Sequence, residues 1–175
     1  MKIDPTASAY GLFQVLFADV ADHIAGAIFE LQKRQGKSVT LQEISHRGFK
    51  GLLREFRQEL RNFKANGDLA TELKALCAVC RRANALRIWR NARIHARVRR
   101  VDDGLALFDE NGMRLSISLV ECEKMIDEAL WIITNIDEHL QPLIDDLKFQ
   151  APRKEFSAVI ASVVEAHEED SDSVL

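Results

Sequence analysis

The residues best suited to chemistry lie in one short stretch, at positions 86–97. Arg90, Asn91 and His95 stand there within six positions of one another. Metal-free cleavage of an RNA phosphodiester needs a base for the 2′-hydroxyl, an acid for the leaving oxygen and cations for the charge on phosphorus. Histidine suits proton transfer near neutral pH, and the planar fork of arginine matches phosphate oxygens. The three residues therefore form a candidate catalytic set, in which Asn91 orients the imidazole or donates to a phosphate oxygen.

The same stretch is strongly basic. Eight arginines fall between Arg81 and Arg100 with no acidic residue among them, although the whole chain has a formal charge of −3. Surface helices usually interleave charges of both signs, because pairs four residues apart stabilise them. We therefore predict an RNA-binding surface. The predicted substrate-binding residues are Arg87, Arg93, Arg97, Arg99 and Arg100.

Helical geometry limits how the catalytic candidates can cooperate. On an ideal helix, Arg90 and His95 are about 140° apart around the axis. Asn91 and His95 share a face, on which Arg87 also lies. A working site therefore requires a helix distorted between positions 90 and 95, or a second surface that completes it. A two-fold dimer would supply that surface by placing two such stripes side by side.

Hydrophobic periodicity predicts long helices around this stretch. Thr40 and Ser118 each stand three residues before a glutamate, which is a capping-box pattern at the start of a helix. Gly36 after a basic end predicts that the first helix stops there. The predicted long helices cover 7–34, 40–64, 69–97 and 118–147.

These elements predict an all-α protein. Four long helices joined by short loops favour an up-and-down four-helix bundle, to which a shorter C-terminal helix opened by Pro152 is added. Asn111 and Gly112 stand between two short apolar runs, which predicts a small β-hairpin between helices 3 and 4. We assign residues 1–165 to this single domain and residues 166–175 to an acidic, disordered tail.

Composition narrows the class of protein. The chain has 175 residues, of which 47% are hydrophobic and 29% charged, as is typical of one globular domain. The sequence contains no uninterrupted run of 18 apolar residues, so no membrane span is predicted. The N-terminus lacks the pattern of a secretion signal. Cys77 and Cys80 lie on an apolar helical stripe with no second ligand pair, so we expect no metal and no cofactor. Three cysteines outside a disulfide framework favour a cytoplasmic location, with no membrane as partner.

The pattern Arg90-Asn91-x-x-x-His95, late in the third of four helices, resembles the HEPN superfamily of small all-α proteins. The resemblance implies a metal-independent endoribonuclease, of the kind found in toxin–antitoxin and phage-defence systems. It assigns the catalytic roles to Arg90, Asn91 and His95. It also implies a homodimer whose two motifs meet at the interface, RNA as substrate, and an antitoxin protein as a further partner. Some toxins of the family carry a tyrosine where this chain has Arg97, so silencing by modification of that tyrosine is not expected here.

Two other functions stay open on the sequence alone. One is a helical module that binds RNA or a nucleotide without cleaving it. The other is a helical scaffold whose arginine face binds an acidic protein partner. A His95 covered by its own chain would exclude both RNA roles, whereas arginines that spread around the helix and pair with acidic residues would favour the scaffold.

Overall fold

A computed structural model describes residues 5–62, 69–101, 104–108, 111–115 and 117–171, with only the backbone given at 97–101, 104–107 and 147–171. Within this part the fold is mostly helical, which confirms the predicted all-α class. The helices are α1 (Pro5–Arg34), α2 (Leu41–Ser45), α3 (Gly48–Asn62), α4 (Ala70–Ile94) and α5 (Leu119–Ser171). The strands are β1 (Arg97–Val101), β2 (Gly104–Phe108) and β3 (Arg114–Leu115).

One hydrophobic core joins the four longer helices. α1 packs against α5 and α3, and α4 packs against the same two helices. Burial of each large aliphatic or aromatic side chain contributes about 1.5–3 kcal/mol, so this core is the main source of stability. Its largest fully buried side chains include Phe13, Ile24, Phe56, Leu76, Leu86, Ile132, Ile136 and Leu143.

The direction of α3 differs from the prediction. Near its start, the Phe49 ring stacks on Phe17 of α1 with centroids 4.4 Å apart. Near its end, Glu59 accepts a hydrogen bond from Gln32 of α1 at 2.7 Å. The earlier residue of α1 meets the earlier residue of α3, and the later meets the later, so the two helices run in the same direction. The predicted up-and-down order, in which the first two long helices are antiparallel, is therefore wrong.

The reason lies in the segment between α1 and α3. The predicted capping box is present, because Thr40 Oγ1 accepts from the Glu43 backbone N–H and the Glu43 carboxylate accepts from the Thr40 backbone N–H. The helix that it starts ends at Ser45, and Gly48 then adopts a positive φ of 65°. Such a φ lies outside the helical region, so the predicted helix over 40–64 becomes two. The intervening chain returns along α1 before α3 begins.

A three-stranded sheet follows α4. The helix ends at Ile94, three residues before the predicted end, and Arg97 begins β1. β1 pairs antiparallel with β2, with Arg97 opposite Phe108 and Val101 opposite Gly104. β2 pairs antiparallel with β3 across the Asn111-Gly112 turn. β1 was not predicted from the sequence, because its arginines continue the pattern of the preceding helix.

The last helix is longer than predicted. Ser118 caps it as expected: Ser118 Oγ accepts from the Glu121 backbone N–H at 3.2 Å, and the Glu121 carboxylate accepts from the Ser118 backbone N–H at 3.1 Å. α5 then continues through Pro152 to Ser171, so no separate C-terminal helix opens at Pro152. Residues 166–171 of the predicted tail belong to α5, and residues 172–175 lie outside the described part of the chain.

α1 is also long and apolar enough to cross a membrane, judged by length and composition alone. Its most apolar 18-residue window has a mean hydropathy of 1.5, and 39% of that window is buried inside the fold. The core helix of a soluble protein passes the same test, as does a signal sequence near an N-terminus. The packing of α1 against α3 and α5 accounts for its apolar face.

Candidate functional site

The end of α4 is anchored against the first half of α1 by aromatic rings. Trp89 meets Phe13 edge-on, with ring centroids 5.0 Å apart, and lies 6.3 Å from the Tyr10 ring. Such tilted and edge-on pairs are the favoured geometries of aromatic side chains. The anchor holds the turn of α4 that carries Arg90 and Asn91 against the core.

Arg90 points inward from α4 and is held at three places. Its Nε donates to Oε1 of Gln14 at 3.2 Å, and its guanidinium carbon lies 4.9 Å from the centroid of the Phe17 ring. Its Nη1 donates to Oδ1 of Asn91 at 3.4 Å. A guanidinium has five N–H donors, and these two bonds leave the others without a partner among the described residues. Arg90 is half-buried, so part of its side chain is accessible to solvent.

His95 lies on the outside of the molecule, immediately after the last residue of α4. It is the C-cap residue, and its backbone N–H donates to the carbonyl oxygen of Asn91 at 3.1 Å. Its side chain is exposed and has no hydrogen-bond partner among the described residues. The structure thus joins Arg90 to Asn91 and places Asn91 one turn before His95. No contact brings the side chains of Arg90 and His95 together within the described part of one chain.

Arg93 is built into the contact between α4 and α5. Its guanidinium stacks on Trp89 at 3.9 Å, and its Nη2 donates to Oε1 of Glu121 at 3.4 Å. Only 10% of its side chain is exposed. Burial lowers the pKa of Arg93, although the nearby Glu121 and Cys122 oppose that shift. Arg93 therefore faces α5, not the open surface on which it was predicted to bind substrate.

The other predicted substrate-binding arginines fall into two groups. Arg87 is half-buried, and its Nε and Nη2 donate to Oδ1 of Asn84 at 3.2 and 3.1 Å. Arg97, Arg99 and Arg100 lie on β1 and not on the helix, and their side chains are outside the description. The basic stretch is therefore divided between the last turns of α4 and an adjoining strand.

Arg82, which was not predicted to matter, resembles Arg93 in its surroundings. It forms a bidentate ion pair with Glu128 of α5 and stacks on Trp131 at 3.6 Å. The partners of Arg82 and Arg93 are 46 and 28 residues away in sequence. That separation explains why the stretch looked uncompensated in the sequence. The basic density available to a ligand is lower than the count of arginines suggests.

Sequence reasoning missed two residues of α1 that contact Arg90. Gln14 and Phe17 stand in an apolar run that predicts only a core helix, so nothing local marks them. Tyr10 lies close to the same group of side chains. Burial raises its pKa, while the positive charges of Arg90 and Arg93 act in the opposite direction. α1 therefore forms one wall of the candidate site.

A second polar region lies far from this site. A groove of about 470 Å³ on α3 is lined by Arg47, Gly51, Arg54, Glu55, Gln58 and Glu59. The Glu59 carboxylate beneath it accepts hydrogen bonds from Gln32, Gln35 and Lys37. Gln14 and Gln32 are about 27 Å apart along α1 at 1.5 Å per residue, so the groove and the Arg90 cluster are separate regions.

Metal chemistry has no evident ligand set in the part of the chain that is described. No group of three or more His, Cys, Asp or Glu side chains there could hold an ion. Cys77 is exposed, while Cys80 and Cys122 are buried, and all three are free. Burial raises the pKa of Cys80 to about 11, so its thiol stays protonated and belongs to the core.

Comparison of the chain with protein-family models, with curated proteins and with solved structures finds no match. The resemblance to the HEPN superfamily therefore depends on Arg90, Asn91 and His95 and on the helical fold that carries them.

Proposed function

We propose that this protein is a metal-independent endoribonuclease of the HEPN type, acting in toxin–antitoxin or phage defence. His95 is the general acid or base, Arg90 stabilises the charge on the phosphate, and Asn91 orients its neighbours. One observation carries the proposal: the Arg90 guanidinium is bonded to Asn91, one turn before an exposed histidine at the end of α4. His95 is exposed and so is not covered by its own chain, as both RNA cleavage and RNA binding without cleavage require.

The surroundings of Arg90 support its role. A cation that stabilises a transition state acts best when it is already oriented and partly shielded from water. Gln14 and Phe17 hold the guanidinium, and the N–H donors that bond to neither Gln14 nor Asn91 have no partner among the described residues. Phosphate oxygens match such a fork of donors.

The proposal includes a homodimer. Cleavage needs both a base and an acid, and the described part of one chain offers a single exposed histidine at this site. A second copy related by a two-fold axis would add the second imidazole and a second Arg90. Each copy is proposed to be a four-helix bundle of α1, α3, α4 and α5, with β2 and β3 as a hairpin before the last helix.

The other predicted substrate-binding arginines are proposed to supply substrate affinity. These are Arg87 on α4 and Arg97, Arg99 and Arg100 on β1. Contacts to phosphates release counterions, so the affinity for RNA is expected to fall steeply as salt rises. The same arginines would serve a non-catalytic RNA-binding module, and only an assay of cleavage separates the two functions.

The test is cleavage of a panel of labelled RNAs in EDTA. Wild type is compared with His95→Ala and Arg90→Ala, and His46→Ala serves as the matched control because His46 is also an exposed C-cap histidine. Removal of a general acid–base is expected to reduce the rate by about 10²–10⁴-fold. The control is expected to cleave like wild type.

Two outcomes would overturn the assignment. Equal cleavage by wild type and His95→Ala would exclude His95 as the acid or base. Salt-dependent binding without cleavage in any protein would favour the non-catalytic RNA-binding module, in which His95→Ala leaves the affinity almost unchanged.

A further inference from the structure

We infer that Gln14 of α1 is a positioning residue for Arg90 and so tunes the proposed cleavage from outside the motif. The inference rests on the proposed function for its effect on RNA, but the contact itself can be tested separately. It concerns a residue that stands 76 positions before its partner and lies in an apolar run.

The geometry shows how Gln14 acts. The hydrogen bond from Arg90 Nε to Gln14 Oε1, 3.2 Å long, anchors the inner edge of the guanidinium. The Phe17 ring, 4.9 Å from the guanidinium carbon, supports its face. With Asn91 bound to Nη1, the outer donors have a defined direction. Without Gln14, the long side chain of Arg90 would keep its stacking contact but could turn about it.

The state of the Gln14 amide points to the same role. Its Nε2 is buried and makes no hydrogen bond of ordinary geometry among the described residues, although the side chain lies close enough to the Tyr10 hydroxyl to lower the pKa of that group. A buried donor without a partner destabilises the fold, so an apolar residue would suit this position better if packing were the only requirement. The acceptor that Gln14 provides to Arg90, together with its contact with Tyr10, accounts for a polar residue at this point of the core helix.

The variant that tests the inference is Gln14→Leu, which keeps the approximate size of the side chain and removes the acceptor. Gln58→Leu is the matched control, because Gln58 is exposed on α3 and far from Arg90. For Gln14→Leu, we expect kcat to fall by about 10–100-fold with little change in KM, as for misplacement of a catalytic group. The control is expected to keep both constants.

A second measurement follows the contact without any RNA. The Arg90 Nε–H gives a ¹H–¹⁵N signal, assigned by its loss in Arg90→Lys. Its exchange with water is expected to be slow in wild type and in Gln58→Leu, and at least about tenfold faster in Gln14→Leu. Gln14→Glu, which retains an acceptor, is expected to restore slow exchange. A purely packing role for Gln14 would not produce this rescue.

The outcomes separate the inference from the proposed function. Slow exchange of the Arg90 Nε–H in Gln14→Leu would overturn the inference. An unchanged kcat in Gln14→Leu, alongside an inactive His95→Ala, would overturn it as well. If no protein cleaves RNA, the proposed function fails, and the exchange rates alone decide whether Gln14 holds Arg90.

Discussion

Neighbouring arginines on α4 have different roles because they face different surroundings. Arg81 is exposed, whereas Arg82 reaches α5, where it pairs with Glu128 and stacks on Trp131. Arg90 and Arg93 also differ, because Arg90 bonds to Gln14 of α1 whereas Arg93 is bound to Glu121 of α5. The pairing of arginines with acidic residues partly meets the condition set for the scaffold function. The exposure of His95 keeps the RNA functions open.

This difference predicts unequal losses of stability for two adjacent substitutions. Arg82→Ala is expected to lower the free energy of unfolding by about 1–2 kcal/mol, through loss of a partly exposed ion pair and a cation–π contact. Arg81→Ala is expected to change it by less than about 0.5 kcal/mol. Chemical denaturation measures both values. Equal losses of stability would contradict the distinction drawn between the two side chains.

Glu59 provides a pH-dependent prediction away from the candidate site. Burial raises its pKa, but the hydrogen bonds from Gln32, Lys37 and Gln35 together bring the pKa below its ordinary value. An acid with a lowered pKa in the folded state stabilises that state at neutral pH, and the contribution disappears as pH falls through the folded-state pKa. Glu59→Gln is therefore expected to lower the free energy of unfolding at pH 7 by about 1–3 kcal/mol.

The difference between wild type and Glu59→Gln is expected to narrow as the pH falls below the ordinary pKa of a glutamate, about 4.3, and to disappear once the pH has fallen through the lowered pKa of the folded state. Thermal or urea unfolding across pH 3–7 would measure it, with the exposed Glu123→Gln as control. A constant difference over this range would show that the charge of Glu59 does not contribute.

At the scale of elements, the starts of helices depend on capping interactions between nearby residues, whereas the breaks depend on backbone dihedral angles. The caps at Thr40 and Ser118 were both predicted, because a cap involves residues only three positions apart. The break before Gly48 was not predicted as a reversal of the chain, because a glycine pattern does not reveal the sign of φ. The strand β1 was missed for a related reason: its alternative partner, β2, is formed by residues farther along the chain.

The cap of α2 yields a prediction at this scale. Thr40→Ala is expected to lower the free energy of unfolding by about 1 kcal/mol, since it removes the acceptor for the Glu43 backbone N–H. Ser38→Ala, at an exposed position just before the cap, serves as control and is expected to have little effect. Urea denaturation measures both, and a neutral Thr40→Ala would mean that α2 does not depend on its cap.

At the scale of the whole molecule, the described part of one chain does not bring Arg90 and His95 together. Arg90 faces inward, His95 faces outward, and the described residues supply no second acid or base between them. A site completed by a second copy predicts that activity depends on protein concentration. The cleavage rate per molecule is expected to fall when the protein is diluted through its dimer dissociation constant, measured by sedimentation. If the cleavage rate per molecule stayed constant at concentrations where the protein is monomeric, the composite site would be contradicted.

The sequence by itself determined the helical class and the caps at Thr40 and Ser118, because each depends on residues within one or two helical turns. Only the tertiary structure decided the shared direction of α1 and α3 and the division of the arginines between α5 and the surface. It also decided the contact of Gln14 with Arg90. These features join residues tens of positions apart, and periodicity and charge patterns carry no information about which distant partner a side chain meets.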